Sequence, residues 1–247
     1  MLKIENLSAF YGKKQVLFDI SAHIERGKFT AIIGANGSGK STLLSCIASL
    51  RPYSGKILLA DRDISLISRR ERAKILSFLP QSLPITQFSV AETVAFGREP
   101  YTDLSGRLSD TDREAVEKSI EKCGISHLKD KKLTEISGGE RQMAYLAMTL
   151  AQDAELMLLD EPTTYMDASR AREFLTALKT AQSEGKTVAA VMHDLTHAVR
   201  YADNIILIES GRVIFSGSRD DCLKSGMIES VMGVSMHRLD GGMVVFI

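Results

Sequence analysis

The stretch Gly34-Ala35-Asn36-Gly37-Ser38-Gly39-Lys40-Ser41-Thr42 constrains this chain more than any other, because of what flanks it. Residues 29–33 are a short apolar run that reads as a strand, and residues 40–50 read as a helix. The spacing GxxxxGK[ST] between such a strand and such a helix is the pattern of a phosphate-binding loop. Its glycines let the backbone curl until the N–H groups face an anion. The start of the helix adds positive partial charge. Lys40 can reach the terminal phosphates of a nucleotide, and Ser41 can ligate Mg²⁺.

Short apolar strands and helices alternate around this loop. Residues 2–7, 16–24, 56–59 and 74–79 read as further strands. Residues 84–151 are mostly helical in pattern, with Asp110 or Thr111 capping one helix that runs to Cys123, and Ser137 capping another. Beyond them come a strand at 156–159, a helix at 168–183, a strand at 188–192 and a short helix at 194–201. Residues 205–208 and 213–215 form a hairpin-like end, and Asp240-Gly241-Gly242 can turn a final one. The alternation predicts an α/β fold on a parallel sheet covered on both faces, with the central helical stretch inserted into it.

A second acidic station follows the apolar residues 156–159. Asp160 ends that strand, where it can hold Mg²⁺ through water, and Glu161 comes next, where it can polarise an attacking water. Two adjacent carboxylates at the end of a buried strand are costly to place without cations or hydrogen bonds. Lys plus Arg and Asp plus Glu number 31 each, a balance that gives no sign of a nucleic-acid-binding surface. Cys46, Cys123 and Cys222 stand far apart with no metal spacing, which fits a reducing compartment. No apolar run approaches the roughly 18 residues that a membrane helix needs, and the start of the chain reads as a strand and not a signal peptide.

Phosphate loops are common, and the residues 136–142, Ile-Ser-Gly-Gly-Glu-Arg-Gln, choose among them. This segment resembles the signature motif of ATP-binding cassette proteins, and it lies just upstream of the second acidic strand, as in that family. The resemblance extends over essentially the whole chain. Tyr11 stands in the place of the aromatic residue that stacks on adenine, and Gln81 matches the Q-loop glutamine, a Mg²⁺ ligand. Asp167 matches the D-loop aspartate, and His193 the switch histidine. The resemblance implies one cassette domain: a P-loop ATPase core, an N-terminal antiparallel β-subdomain and an α-helical subdomain at about 84–150. It implies ATP and Mg²⁺, with Glu161, His193 and Gln81 as the catalytic set. It further implies that Ser137, Gly138 and Gly139 bind the phosphate of an ATP held by a second, head-to-tail subunit. The resemblance further implies that the chain sits peripherally on the cytoplasmic face of the membrane, bound to transmembrane permease subunits and indirectly to an extracytoplasmic substrate-binding protein. Ser137 with Glu140 is at the same time a capping box.

Some residues depart from the commonest cassette pattern. Glu140 stands for the frequent Gln, and Met143 and Met148 stand where arginines are common. Residues 67–73, 95–101, 147–152, 160–165 and 200–203 look like the importers of ferric siderophores, haem or cobalamin. A soluble cassette ATPase of assembly or regulation, acting without a permease, is the alternative. His193 and His197 share the spacing of a zinc-binding HExxH, but Asp194 replaces the Glu and no third ligand is evident, so His197 reads as a surface or helix-packing histidine. Leu83, Pro84, Ile85, Phe88 and Val90 form an apolar cluster that serves either as core or as a groove for a permease helix.

Overall fold

The computed structural model describes residues 1–102, 106–164, 166–238 and 244–247. From the N-terminus come β1 (Leu2–Tyr11), β2 (Lys14–Ile24), β3 (Phe29–Ile33), α1 (Lys40–Ile47), β4 (Ser54–Leu59) and β5 (Arg62–Asp63). Next are α2 (Arg69–Ile75), β6 (Leu76–Leu79), α3 (Val90–Ala95), α4 (Asp110–Lys122) and α5 (Gly138–Ala151). They are followed by β7 (Leu156–Asp160), α6 (Ala168–Ser183), β8 (Thr187–Val191), α7 (Leu195–Tyr201), β9 (Asn204–Glu209) and β10 (Arg212–Ser218). The chain ends with α8 (Arg219–Ser225), α9 (Met227–Met232), β11 (Met236–Arg238) and β12 (Val244–Phe246). Two compact units emerge. The first holds Met1–Ile67, Leu158–Glu161 and Thr187–Ile247; the second holds Ser68–Met157 and Pro162–Lys186.

The first unit holds two large sheets and the small β11-β12 pair. An antiparallel sheet runs in the order β2-β1-β4-β5, with Leu2 opposite both Ile24 and Leu59. Leu2, Ile4, Ile24, Ile57 and Leu59 are buried, so the period-two pattern of β1 turns one face to the core. The other sheet carries the order β10-β9-β3-β8-β7. β3 pairs in parallel with β8 on one side and with β9 on the other. All five residues of β3 and all five of β8 are buried, which explains why these segments read as continuous apolar runs and not as alternations.

The second unit is mainly helical. In it β6 neighbours β7, whose first residues Leu156 and Met157 lie in the same unit. α5 buries Met143, Ala144, Leu146, Ala147 and Ala151 and packs against α3 and α4. Arg98 and Asp112 are both buried and paired, Nε to Oδ1 at 2.9 Å, and Arg98 Nη1 also donates to the Ala151 carbonyl at 2.7 Å. The pair ties the turn after α3 to α4 and to the end of α5.

Several boundaries differ from the sequence reading. Lys74 and Ile75 close a helix and do not open a strand, because Ser68 and Glu71 form a reciprocal capping box that starts α2. α4 is capped by Ser109, whose hydroxyl accepts from the Asp112 N–H while the Asp112 carboxylate accepts from the Ser109 N–H. Asp110 and Thr111 are therefore inside the helix and not its cap. α1 stops at Ile47, three residues early, because Ser49 takes a left-handed φ of 58°. β11 and β12 pair antiparallel, Met236 opposite Phe246, while the expected turn at Asp240-Gly241-Gly242 lies outside the described residues. Among the described residues no helix is long and apolar enough to cross a membrane.

Candidate functional site

The C-terminal ends of β3, β7 and β8 are drawn together by backbone hydrogen bonds. The Met192 N–H donates to the Ile32 carbonyl at 3.1 Å, and the Glu161 N–H to the Val191 carbonyl at 3.2 Å. The loop 34–39, the Asp160–Glu161 pair and His193 thus leave one edge of a parallel sheet, the edge where such folds bind ligands.

The loop itself depends on two glycines. Gly34 has φ +151°, and a Cβ there would stand 2.1 Å from the Ile208 carbonyl oxygen. Gly39 has φ +104°, and its Cβ would stand 2.6 Å from Leu17 Cδ2. Between them Ala35, Asn36 and Gly37 are exposed, while Ser38, Lys40 and Thr42 are buried. α1 begins at Lys40 with no side-chain cap and no acidic residue in its first turn. Its first N–H groups therefore lack the side-chain acceptor that Ser137 gives α5, and they suit an anion. The buried Ser38 hydroxyl has no hydrogen-bond partner among the described residues, a second donor awaiting an acceptor.

Lys40 Nζ donates to the carbonyls of Gly34 at 2.8 Å and Ala35 at 2.9 Å, so the ammonium is held over its own loop. Burial lowers its pKa, opposed by the negative charges of Glu161 and Asp160. Ser41 Oγ donates to Asp160 Oδ1 at 2.9 Å. Burial raises the Asp160 carboxyl above its ordinary value and Glu161 adds to this, while the Ser41 hydrogen bond and Lys40 oppose it. Removing water has thus made the anionic form of Asp160 costly, and a cation at this point relieves the cost. A hydroxyl and a carboxylate are hard oxygen donors of the kind Mg²⁺ takes, beside the phosphate oxygens that a nucleotide itself supplies. Glu161 adopts φ +47°, a left-handed conformation uncommon for a glutamate and of the kind that collects at functional sites. His193 is exposed in the bend after β8.

The remaining residues singled out from sequence lie as follows. Tyr11 ends β1, 46% exposed, with the Arg51 guanidinium 3.7 Å from its ring centroid. Gln81, Ser137, Gly138, Gly139 and Asp167 belong to the second unit. Gln81 is exposed between β6 and α3. Ser137 caps α5, and Gly138 and Gly139 form its first turn. Asp167 caps α6, accepting from the Arg170 N–H at 2.9 Å. His197 lies on α7, its backbone N–H donating to the capping Asp194 at 2.8 Å and its ring edge-on to Tyr201 at 6.2 Å. Of the apolar cluster, Val90 is core, whereas Ile85 and Phe88 are exposed and Phe88 meets the equally exposed Phe96 edge-on at 5.1 Å. Sequence reasoning missed Arg170, whose guanidinium faces Glu140 across two helices; nothing in the local pattern around either residue signals the pairing.

Comparison with known proteins agrees with this geometry. The family model described as ABC transporter matches residues 17–164. The chain is 39% identical over 242 residues to the ferric enterobactin transport ATP-binding protein FepC of Escherichia coli (strain K12), covering 97% of this chain and 89% of that protein. It is 35% identical over 236 residues to the iron(3+)-hydroxamate import ATP-binding protein FhuC of Bacillus subtilis (strain 168), covering 94% of this chain and 88% of the relative. Among solved structures, the dimeric structure of a bacterial ABC transporter cassette superposes with a TM-score of 0.79 at 25% identity, covering 89% of this chain and 99% of that one.

Proposed function

This chain belongs to the ABC transporter family, as an ATP-binding, ATP-hydrolysing member, and on that premise we propose that it powers the import of a ferric siderophore or a related metal chelate through a separate membrane permease. The observation that carries the hydrolytic part is the meeting of Ser41 with Asp160 across 119 residues of sequence, beneath a loop whose helix N-terminus and Ser38 hydroxyl lack side-chain acceptors. Similarity along nearly the full chain to FepC and FhuC supports the importer class.

In this reading the chain is one cassette domain with an α-helical subdomain inserted at about 84–150. Tyr11 stacks on adenine. Asn36, Gly37, Ser38, Gly39 and Thr42 surround the phosphates, and Lys40 turns from the carbonyls of Gly34 and Ala35 to the terminal phosphates. Ser41, Asp160 and Gln81 would hold Mg²⁺, which neutralises phosphate charge when bound. Glu161 accepts the proton of, or orients, the attacking water, and His193 hydrogen-bonds the terminal phosphate. Phosphoryl transfer needs positioning and charge neutralisation above all, and these residue types supply both. Two chains pair head to tail, so that Ser137, Gly138 and Gly139 of each cover the ATP of the other. Asp167 lies at the same junction. The precedent of a dimeric cassette structure supports the pairing. The exposed Ile85, Phe88 and Phe96 would offer an apolar face to a permease helix. In this reading the pair works from the cytoplasmic face of the membrane, and a substrate-binding protein serves the permease from the far side.

Reconstitution tests the reading. The chain is expected to copurify with a many-helix membrane protein and to drive ATP-dependent uptake of a ferric siderophore into vesicles. A chain that hydrolyses ATP at full rate, yet neither binds such a protein nor supports uptake, would return the account to a soluble ATPase.

A further inference from the structure

Glu140 poses a problem of charge. Its carboxylate sits in the first turn of α5, where the proposed function brings in the phosphates of a partner's ATP. It accepts from the Ser137 N–H at 2.8 Å and the Ser137 hydroxyl at 2.8 Å through the same oxygen, Oε2. These bonds, and after them the positive charge of Arg170, lower its pKa against burial that raises it, and so favour the carboxylate anion. The other oxygen, Oε1, stands 3.8 Å from Arg170 Nη2.

Arg170 comes from the first turn of α6, three residues after Asp167. Its stem lies along the signature turn, since a Cβ on Gly139 would stand 3.4 Å from Arg170 Cγ. Its Nη1 is fixed from its own helix by Glu173 at 3.0 Å, which leaves Nη2 directed at Glu140. One arginine thus packs on Gly139, faces Glu140 and rises from the helix that Asp167 caps.

We propose that Arg170 is a positioning residue for ATP hydrolysis: it screens the Glu140 carboxylate from the incoming phosphates and holds the start of α5 against the start of α6, so that the two loops meet the partner subunit as one surface. The inference rests on the head-to-tail cassette reading. It also explains how this chain carries Glu at a position where Gln is frequent.

The experiment measures the ATP concentration for half-maximal dimerisation by sedimentation, in chains that carry Glu161→Gln to stop turnover. Arg170→Gln leaves the Glu140 charge unscreened and is expected to raise that concentration about threefold to tenfold, in the range of a full charge at a helix end. Arg170→Lys keeps a cation and is expected to stay within about twofold of the reference. Glu140→Gln removes an anion near phosphate and is expected to lower the concentration slightly. Adding Glu140→Gln to Arg170→Gln is expected to recover most of the loss, because the charge that needed screening is gone; a purely structural role of Arg170 gives no such rescue. With Glu161 intact, the KM for ATP should follow the same order more strongly than kcat. Equal losses in Arg170→Gln and in the double variant, with the reference dimerising normally, overturn the inference alone. A reference chain that stays monomeric at saturating ATP overturns the cassette reading and the inference with it.

Discussion

Replacing Asp112 by alanine leaves the Arg98 guanidinium inside the second unit with the Ala151 carbonyl and the face of the Tyr101 ring, 3.9 Å away, but without its counter-ion. The side chains of Arg98 and Asp112 are only 10% and 7% exposed, so solvent cannot take over the lost contact. Breaking one side of such a buried pair costs about 3–5 kcal/mol, against less than about 1 kcal/mol for an exposed pair. For a chain of this size that is a fall in Tm of about 6–20 °C. Urea melts, with hydrogen exchange followed at the amides of α4, read the loss where it arises. The pH dependence supplies a second check. The Ser109 hydroxyl first, and then the Arg98 guanidinium, hold the Asp112 carboxyl below its ordinary range, against burial that pushes it up. A carboxyl depressed in the folded state stabilises above its unfolded pKa of about 3.9 and loses that contribution as pH falls through the folded value. The gap between wild type and Asp112→Ala should therefore be constant above about pH 5 and narrow below about pH 4. A loss under about 1 kcal/mol at pH 7 would refute the claim that the pair is electrostatically buried.

Three further outcomes follow from the site. Lys40→Ala should weaken both ATP binding, read by calorimetry, and turnover, because the ammonium serves ground state and transition state alike; tight binding without the lysine contradicts this. Ser137→Arg should bind ATP as a monomer yet fail to turn over. Mixed with Lys40→Ala it should recover part of the ATPase activity, since one composite site of the mixed dimer then carries neither lesion. Gly34→Ala should destabilise the chain or abolish nucleotide binding, as its Cβ would stand 2.1 Å from the Ile208 carbonyl oxygen, and a variant with wild-type melting and affinity would show that the loop yields there.

How much of this was legible in the sequence depends on how local each cause is. The placement of the loop 34–39 between β3 and α1, and of Asp160 at the end of β7, was legible because apolar runs of strand length precede both. α6 was legible to the residue, since a capping aspartate and a regular apolar stripe both mark it. The strand expected at 74–79 failed at its start because the Ser68–Glu71 capping box drives the chain into a helix before the apolar run begins. α8 and α9 are too short for a helical stripe to show, although Ser218 with Asp221 caps the first of them. The Arg98–Asp112 and Glu140–Arg170 pairs were invisible for a different reason. Each joins separate helices, and sequence spacing carries no record of which helices will pack together.

The central claim, that two of these chains close around ATP and that Glu161 drives its hydrolysis, is tested most directly by Glu161→Gln. The substitution keeps the size of the side chain and leaves Lys40, Ser41 and Asp160 in place, so nucleotide binding should persist. Loss of a general base costs roughly 10²–10⁴-fold in rate. Sedimentation with ATP should therefore find a stable dimer that falls apart when the nucleotide is removed, and steady-state assays should find turnover reduced by that factor. Near-normal turnover, or a chain that stays monomeric at saturating ATP, would contradict the account.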